Sequence, residues 1–209
     1  MDDLVQHLIE RGVLKTERII KAFNKIKRED FVLPEMVVEA KGDYPLPIGF
    51  GQTISQPYTV AFMLELLAPE KDFKILDIGS GSGYTTALLA EIVGEKGKVF
   101  GIERIDELKK FGEENVKKYN FVERKRAVFI TGDGAKGLPR EAPFQGIHVA
   151  AAALDVPQAL LDQLVLGGRL VIPLGLKTQE ITLIEKITSK RFKEKRFPGF
   201  AFVPLITEK

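Results

Sequence analysis

The sequence predicts a doubly wound α/β protein with a mostly parallel central sheet. Two observations lead to this fold class. Short apolar runs bounded by turn residues, typical of buried strands, alternate with helical segments between residues 73 and 175. After residue 175 the alternation stops, and two strand-like runs follow with no helix between them. We therefore predict a seven-stranded sheet with helices on both faces, an antiparallel carboxyl-terminal edge and an amino-terminal helical cap.

The amino-terminal part is predicted to be helical from residue 1 to about 40. Leu4, Val5, Leu8 and Ile9 recur on one face of a first helix, which Gly12 ends. Isolated helices this short are marginal in water, so we expect them to pack on the rest of the chain. Residues 43–57, rich in proline and glycine, predict an ordered loop or a series of turns.

The remaining elements follow in order along the chain. Predicted helices cover 58–68, 85–94, 105–119 and 157–164, the third weakened by Gly112. Predicted strands cover 73–79, 97–103, 126–134, 146–153, 167–175, 180–188 and 200–206. We expect a single domain in which residues 1–57 form helices and a substrate loop, 58–175 the ligand-binding core and 176–209 the last strands.

Composition excludes several classes of protein. The 31 Lys and Arg nearly balance the 29 Asp and Glu of the 209 residues, which argues against nucleic acid as a partner. The charged stretch at 190–197 is interpreted as a solvated connector or edge strand, with a local basic patch as the alternative. The amino-terminal residues lack the pattern of a signal peptide, and no apolar run reaches the ~18 residues that span a membrane. We expect a cytoplasmic monomer with no membrane association.

Cysteine and histidine usage limits the chemistry. The chain has no cysteine, so disulfides, thiol ligands and a cysteine nucleophile are excluded. Its two histidines, His7 and His148, are far apart in sequence, which argues against a zinc site and against a Ser-His-Asp triad. His148 lies in a strand pattern and is interpreted as a core histidine. No metal site is predicted.

A glycine-rich loop follows the first predicted strand of the core, in the stretch LDIGSGSGY at 76–84. Glycines let the chain turn tightly and let a ligand approach the backbone, and strand ends are where doubly wound sheets bind ligands. Gly79, Gly81 and Gly83 have the spacing G-x-G-x-G, but the dinucleotide fingerprint would need glycine where Tyr84 stands. Asp77 can orient this loop or contact a ligand through water.

Two further acidic residues end the next two predicted strands. Glu103 can accept hydrogen bonds from both hydroxyls of a ribose, and Asp133, between Gly132 and Gly134, can accept from the exocyclic amine of adenine. Each signal alone is weak, since such loops and acidic strand ends are common. Together, at the ends of successive strands, they predict a site for an adenosine-containing cofactor without pyrophosphate.

The order of elements and the first loop resemble the class I S-adenosylmethionine-dependent methyltransferases. Several blocks narrow the resemblance to the protein-L-isoaspartate O-methyltransferases: residues 42–61, 76–84, 132–137, 157–164, 167–175 and 202–205. The block from PLPIG to GQTISQP is the specific part. The resemblance implies a Rossmann-like fold, S-adenosyl-L-methionine as cofactor with S-adenosyl-L-homocysteine as product, and methylation of the α-carboxylate of L-isoaspartyl residues in damaged proteins and peptides. The methyl ester then closes to a succinimide.

The resemblance also assigns roles to residues. Ser55 is implied to be catalytic, positioning the substrate carboxylate without a covalent intermediate; the alternative is a turn or helix-cap serine. Arg104 is either a cofactor neighbour or a surface cation. The substrate-binding set is Thr53, Ser55 and Val203. The full cofactor-binding set is Gln52, Thr53, Ile54, Asp77, Gly79, Ser80, Gly81, Gly83, Glu103, Arg104, Asp133 and Gly134.

Two departures from the resemblance leave alternatives open. Gln145 and Ala150 stand where family members commonly have Asp, and Thr or Gly, and both are expected near the ligand-binding edge of the sheet. One alternative function is methyl transfer to a small molecule or RNA, which would leave GQTISQP and FVPL unexplained. The other is a binding module that retains the cofactor fold and transfers nothing.

Overall fold

A seven-stranded sheet lies at the centre of the structure, a computed structural model that describes residues 3–207. The strands of the described residues are β1 (Leu46–Gly49), β2 (Gln52–Ile54), β3 (Lys74–Ile78), β4 (Lys98–Glu103), β5 (Ala127–Thr131), β6 (Phe144–Val149), β7 (Leu164–Leu174), β8 (Gln179–Lys186) and β9 (Phe192–Phe200). The sheet order is β5-β4-β3-β6-β7-β8-β9, and β1 and β2 form a separate hairpin. Strands β3 to β7 pair in parallel, whereas β8 and β9 are antiparallel. The predicted sheet and its antiparallel edge are confirmed.

Helices form the amino-terminal cap and connect most of the parallel strands, as the sequence predicts, whereas the connection from β5 to β6 contains a short 3-10 turn. They are α1 (Asp3–Glu10), α2 (Glu17–Lys25), α3 (Pro57–Leu67), α4 (Tyr84–Val93), α5 (Asp106–Lys117) and α6 (Gln158–Asp162). The last helix is shorter than predicted because β7 already begins at Leu164. Between α2 and β1 the chain forms short 3-10 turns instead of continuing as a helix to residue 40.

Two apolar clusters cover the two faces of the sheet. Successive residues of a strand point to opposite faces, so Ile75 belongs to one cluster and Leu76 to the other. The first cluster contains apolar residues of α1 to α5, including Leu8 from the amino-terminal cap. The second contains Leu160 of α6. The helices therefore hold the parallel strands from both sides, and the amino-terminal cap shares the core of the sheet.

The final strand differs from its prediction. We predicted a strand at 200–206, but β9 lies at Phe192–Phe200 and pairs with β8 along the edge of the sheet. An edge strand needs only backbone partners on one side, and charged side chains on it discourage association with other chains. Residues 192–197 of the charged stretch 190–197 belong to this edge strand, so the edge-strand interpretation is confirmed for them.

The hairpin of β1 and β2 was predicted only as an ordered loop. The two strands are short, and their pairing is irregular between Pro47 and Gly49. The alternation of residues that would indicate a strand is therefore not visible in the sequence. In residues 3–207, no helix is both long enough and apolar enough to cross a membrane.

Candidate active site

A cavity opens at the carboxyl ends of β3, β4 and β6, with about 890 Å³ of empty space when open solvent at its mouth is included. This is the edge at which open α/β sheets bind ligands. The β1–β2 hairpin and its continuation to Ser55 form one wall, and the chain after β9 forms another. The cavity is lined by Ile48, Gln52, Thr53, Ile54, Ser55, Val60, Ile78, Gly79, Ser80, Gly81, Ser82, Tyr84, Thr85, Ile102, Glu103, Arg104, Ile105, Gly132, Gly134, Ala150, Ala151, Val203, Pro204, Leu205 and Ile206.

The glycine loop makes a close turn against α5. Gly83 has φ +85°, and a Cβ atom on it would lie 2.6 Å from the carbonyl oxygen of Gly112. A Cβ on Gly112 would in turn lie 2.6 Å from the carbonyl oxygen of Gly81. Gly112, which the sequence predicted as a weak point of the helix, therefore allows the loop and α5 to touch backbone to backbone.

Glu103 ends β4 with its carboxylate fixed by the loop beside it. The side chain is 7% exposed. Its Oε2 accepts a hydrogen bond from the amide of Gly81 at 3.1 Å, and its Oε1 accepts one from the amide of Ile105 at 3.0 Å. A carboxylate offers about four lone pairs, so each oxygen retains acceptor capacity toward the cavity. The geometry suits a ligand that presents two hydroxyl donors.

Asp77 lies beneath the glycine loop, outside the residues that line the cavity. It is fully buried. Its Oδ2 accepts a hydrogen bond from the Thr86 hydroxyl at 2.5 Å, and its Oδ1 lies 2.8 Å from Nδ1 of His148. Thr86 is in the first turn of α4, so Asp77 ties that helix to β3 and β6. The orienting interpretation of Asp77 agrees with this placement, and His148 is a buried core residue as predicted.

Ser55 lies between β2 and α3, half-buried on the cavity wall. The helix-cap alternative for Ser55 is wrong, because Gln56 occupies the N-cap position. The amide of Tyr58 in the first turn of α3 donates instead to Oδ1 of Asp43 at 2.8 Å. Ser55 is therefore not used to begin the helix.

A buried arginine holds the Ser55 loop from behind. The Arg28 guanidinium donates to the carbonyl oxygens of Ala40 (3.1 Å), Gly42 (3.0 Å), Tyr44 (2.8 Å) and Ser55 (3.3 Å). Burial lowers the pKa of Arg28 from its usual value, but an arginine pKa starts so high that the side chain remains charged. Arg28 was not predicted as a site residue, because one arginine in the run KRED carries no pattern that separates it from a surface cation.

The chain after β9 closes the other side of the cavity. The amide of Ala152 donates to the carbonyl of Val203 at 2.8 Å, and the amide of Leu205 donates to the carbonyl of Ala152 at 2.7 Å. These bonds form an isolated parallel bridge between Ala152 and Pro204. Val203 thus lines the cavity as expected, although its carbonyl already accepts one hydrogen bond.

Most of the predicted site residues come together at this cavity, and three do not line it. Those on the cavity are Gln52, Thr53, Ile54, Ser55, Gly79, Ser80, Gly81, Glu103, Arg104, Gly134 and Val203. Asp77 lies beneath the loop, and Gly83 packs on α5. The carboxylate of Asp133 turns back to accept from the amide of Ala135 at 2.9 Å.

The expectation for Gln145 is wrong, whereas that for Ala150 holds. Gln145 is the second residue of β6 and accepts at Oε1 from the amide of Lys74, the first residue of β3, at 2.8 Å. Both residues lie at the amino ends of parallel strands, the edge opposite the cavity. Ala150 lies at the carboxyl end of β6 and lines the cavity.

The apolar lining of the cavity, including Ile48, Val60 and the residues after Val203, was not predicted from the sequence. Apolar wall residues look like core residues in a sequence, so only their position after a strand end could have indicated them.

The cavity fits an adenosine cofactor on the evidence of its own residues. Ser80 Oγ is buried without a hydrogen-bond partner among the described residues, and Ser80 lines the cavity. Gly134, on the cavity wall, lies against Ile78, and a Cβ on it would meet the Ile78 side chain at 2.2 Å, so glycine alone fits at this position. The amino end of α4 also faces the cavity through Tyr84 and Thr85 and favours a carboxylate there. Within residues 3–207, no group of three or more acidic or histidine side chains is placed to hold a metal ion.

Comparisons of sequence identify a family. The family model for protein-L-isoaspartate(D-aspartate) O-methyltransferase matches residues 1–209. A protein-L-isoaspartate O-methyltransferase from Aeropyrum pernix is 46% identical over 98% of this chain and 78% of its own length. One from Methanopyrus kandleri is 45% identical over 98% of this chain and 90% of its own length.

Solved structures give the same result. A Plasmodium falciparum chain assigned as a protein-L-isoaspartate O-methyltransferase, crystallised with S-adenosyl-L-homocysteine, superimposes with a TM-score of 0.89 at 26% identity and covers 99% of this chain and 98% of its own. A second protein-L-isoaspartate O-methyltransferase superimposes with a TM-score of 0.86 at 29% identity, over 97% of this chain and 64% of its own.

Proposed function

The chain belongs to the protein-L-isoaspartate(D-aspartate) O-methyltransferase family, and we propose from that premise how its residues carry out the reaction. The enzyme transfers a methyl group from S-adenosyl-L-methionine to the α-carboxylate of L-isoaspartyl residues in damaged proteins and peptides. Methylation begins repair through a succinimide. One observation supports the assignment of residues: a single cavity brings the glycine loop, Glu103 and Ser55 together.

The residues around the glycine loop are proposed to bind the cofactor. Glu103 accepts from the ribose hydroxyls with the lone pairs that its backbone partners leave, and Gly79 and Gly81 allow the ligand to approach the backbone. The amino end of α4 stabilises the carboxylate of the amino-acid part. Bound S-adenosyl-L-methionine supplies a methyl group made reactive by its sulfonium charge. Gln52, Thr53 and Ile54 flank the site from the hairpin, and Arg104 lies at its rim.

Ser55 is proposed to orient the acceptor. An α-carboxyl group has a pKa of about 3.3 to 3.7, so the substrate is already ionised at neutral pH and needs no strong general base. The Ser55 hydroxyl can donate a hydrogen bond to one carboxylate oxygen and leave the other free to attack in line. Arg28 fixes the backbone that carries this hydroxyl. Ile48, Ile54 and Val60 shield the reacting groups from water.

The peptide on either side of the isoaspartyl residue is proposed to lie along Val203. Backbone contacts suit a substrate that appears in many sequences, because they read no side-chain code. The carbonyl of Val203 has one partner in Ala152, so its amide and its second lone pair are the groups for the peptide.

The test of the function uses two synthetic peptides that differ only in one L-isoaspartyl or L-aspartyl residue. Each is incubated with the protein and methyl-labelled S-adenosyl-L-methionine, and base-labile label is counted. We expect label on the isoaspartyl peptide alone. Label on neither peptide, with cofactor binding intact by calorimetry, would contradict the assignment. Label on RNA or a small molecule instead would favour another methyltransferase.

We also propose that the enzyme acts as a cytoplasmic monomer without a nucleic-acid partner. The near balance of charge argues against a nucleic-acid partner, and the absence of cysteine fits a reducing compartment. Light scattering on a size-exclusion column should give a mass near 23.3 kDa. A dimer mass would refute the monomeric state. Retention of RNA on a filter at physiological salt would refute the absence of a nucleic-acid partner.

A further inference from the structure

The carboxyl-terminal segment, defined as residues 201–206, is held at its start by one side chain of β8. Gln179 donates from Nε2 to the carbonyl of Phe202 at 3.1 Å, and the amide of Phe202 donates to Oε1 of Gln179 at 2.5 Å. The side-chain amide thus forms the pair of hydrogen bonds that a neighbouring strand would form. Gln179 engages both backbone groups of the residue immediately before Val203.

The contact between Gln179 and Phe202 lies where the backbone pairing of β8 with β9 ends. The register of β8 with β9 becomes irregular between Gln179 and Glu180 and ends at the Gln179–Phe200 pair. The carboxyl-terminal segment then passes from β8 across β7 to meet Ala152 after the end of β6. No residue of this segment is fully buried, although Phe202 and Leu205 pack on the edges of the two apolar clusters. Hydrogen bonds are therefore needed, besides this packing, to fix the path of the backbone. Among the described residues, the Gln179 amide anchors its start, and the bridge to Ala152 anchors it between Val203 and Leu205.

We infer that Gln179 is a positioning residue for methyl transfer, an inference that rests on the proposed function. By fixing Phe202, its amide sets the path of the cavity wall from Val203 to Ile206. The wall meets the peptide at Val203 in the proposed function, so loosening it should weaken peptide binding first. Gln179 does not line the cavity and acts only through the backbone of Phe202.

The first experiment compares Gln179→Leu with Gln158→Leu. Leucine keeps the approximate size of the side chain and removes both hydrogen bonds. Gln158 is an exposed glutamine on α6 whose amide bonds only Asp162, so its substitution is a matched control. We expect Gln179→Leu to raise the KM for the isoaspartyl peptide by about tenfold, the order given by two lost hydrogen bonds, with kcat nearly unchanged. The control should retain both values.

The second experiment uses Gln179→Glu and pH. An ionised glutamate can accept from the amide of Phe202, but it cannot donate to the carbonyl; a protonated one can do both. The ionisable groups that share its surface cavity are Asp155, Lys177, Glu180 and Arg196. We expect the ratio of peptide KM in Gln179→Glu to that in the unmodified enzyme to fall as pH is lowered from about 7.5 to about 5, toward the ordinary carboxyl pKa. The ratio for Gln179→Leu should stay level.

A third readout does not depend on turnover. Amide hydrogen exchange at Phe202 and Leu205 should be faster in Gln179→Leu than in the unmodified protein, while exchange in β6 stays the same. Unchanged exchange, an unchanged peptide KM or parallel pH profiles would overturn the positioning role. If the unmodified enzyme itself fails to methylate the isoaspartyl peptide, the proposed function fails instead, and the exchange data still decide whether Gln179 holds the segment.

Discussion

At the scale of single residues, the site separates groups that hold the cofactor from a group that orients the acceptor. Glu103 is buried and anchored by two amides, whereas Ser55 lies on the wall that continues from the β1–β2 hairpin and is anchored through its backbone carbonyl. Two substitutions should therefore affect different steps.

Replacing Ser55 with alanine should leave cofactor affinity unchanged and remove most of the turnover. The hydroxyl is proposed to contact only the substrate carboxylate, and loss of one such hydrogen bond in a transition state typically lowers kcat by about 10² to 10³-fold. Single-turnover rates and calorimetric titration with S-adenosyl-L-homocysteine measure the two quantities. Equal losses in affinity and rate would refute the orienting role.

Replacing Glu103 with alanine should weaken cofactor binding. Hydrogen bonds to a charged group contribute about 1.5 to 3 kcal/mol each, so a loss of at least tenfold in affinity for S-adenosyl-L-homocysteine is expected. Glu123→Ala, at an exposed position before β5, is the control. If calorimetry gave the same dissociation constant for Glu103→Ala and this control, the ribose assignment would be wrong.

At the scale of elements, the glycine loop and α5 depend on one close backbone contact. Alanine normally stabilises a helix interior relative to glycine by about 1 kcal/mol. Gly112→Ala should do the reverse, because its Cβ would lie 2.6 Å from the carbonyl of Gly81. We expect a loss of about 1 to 3 kcal/mol in the free energy of unfolding and weaker cofactor binding.

Glu107→Ala, on an exposed turn of the same helix, is the matched control for the Gly112 variant. Denaturant unfolding and calorimetric titration give the two quantities for each protein. A Gly112→Ala protein that is more stable than the unmodified one would show that the loop can move away at no cost.

The elements also show where sequence reasoning succeeds. The parallel strands were predicted because burial on both faces leaves a continuous apolar run in the sequence, as in KILDI of β3. The last strand was misplaced because β9 is held by backbone pairing with mostly exposed, charged side chains. The apolar FVPL after it serves as a cavity wall. The apolar character of FVPL therefore indicated a segment that packs on the rest of the protein. It did not indicate which segment pairs as the last strand.

The candidate site was predicted where chemistry leaves a local signal. Glycines at a strand end were found in this way, whereas Ser55 was assigned through the family resemblance of the block around it. Arg28 and Gln179 were missed, because each acts on backbone carbonyls or amides far away in the sequence. The partners of these two side chains are backbone groups, which every residue has. No second residue type in the sequence therefore indicates the contact.

At the scale of the whole molecule, the amino-terminal helices and the sheet share one core. The first apolar cluster contains residues from Val5 in α1 to Ile181 in β8. The division into residues 1–57, 58–175 and 176–209 stays a prediction, and we expect these parts to unfold together. Calorimetry should give one transition whose van't Hoff and calorimetric enthalpies agree.

Leu8→Ala tests the same expectation from the amino-terminal side. Leu8 is fully buried, and such truncations cost about 2 to 5 kcal/mol. The entire transition should move to lower temperature. A separate early transition, with the remainder unchanged, would show that the amino-terminal helices unfold on their own.

The cavity wall made by Val203 to Ile206 determines when, during synthesis of the chain, the site is complete. These residues are translated after every other residue that lines the cavity. A nascent chain can fold its glycine loop and place Glu103 while this wall is still missing. Chains that stop short of residue 203, through truncation or a premature stop codon, would have a cofactor cleft without a finished acceptor site. We therefore expect methylation capacity only once the chain has been extended through Ile206.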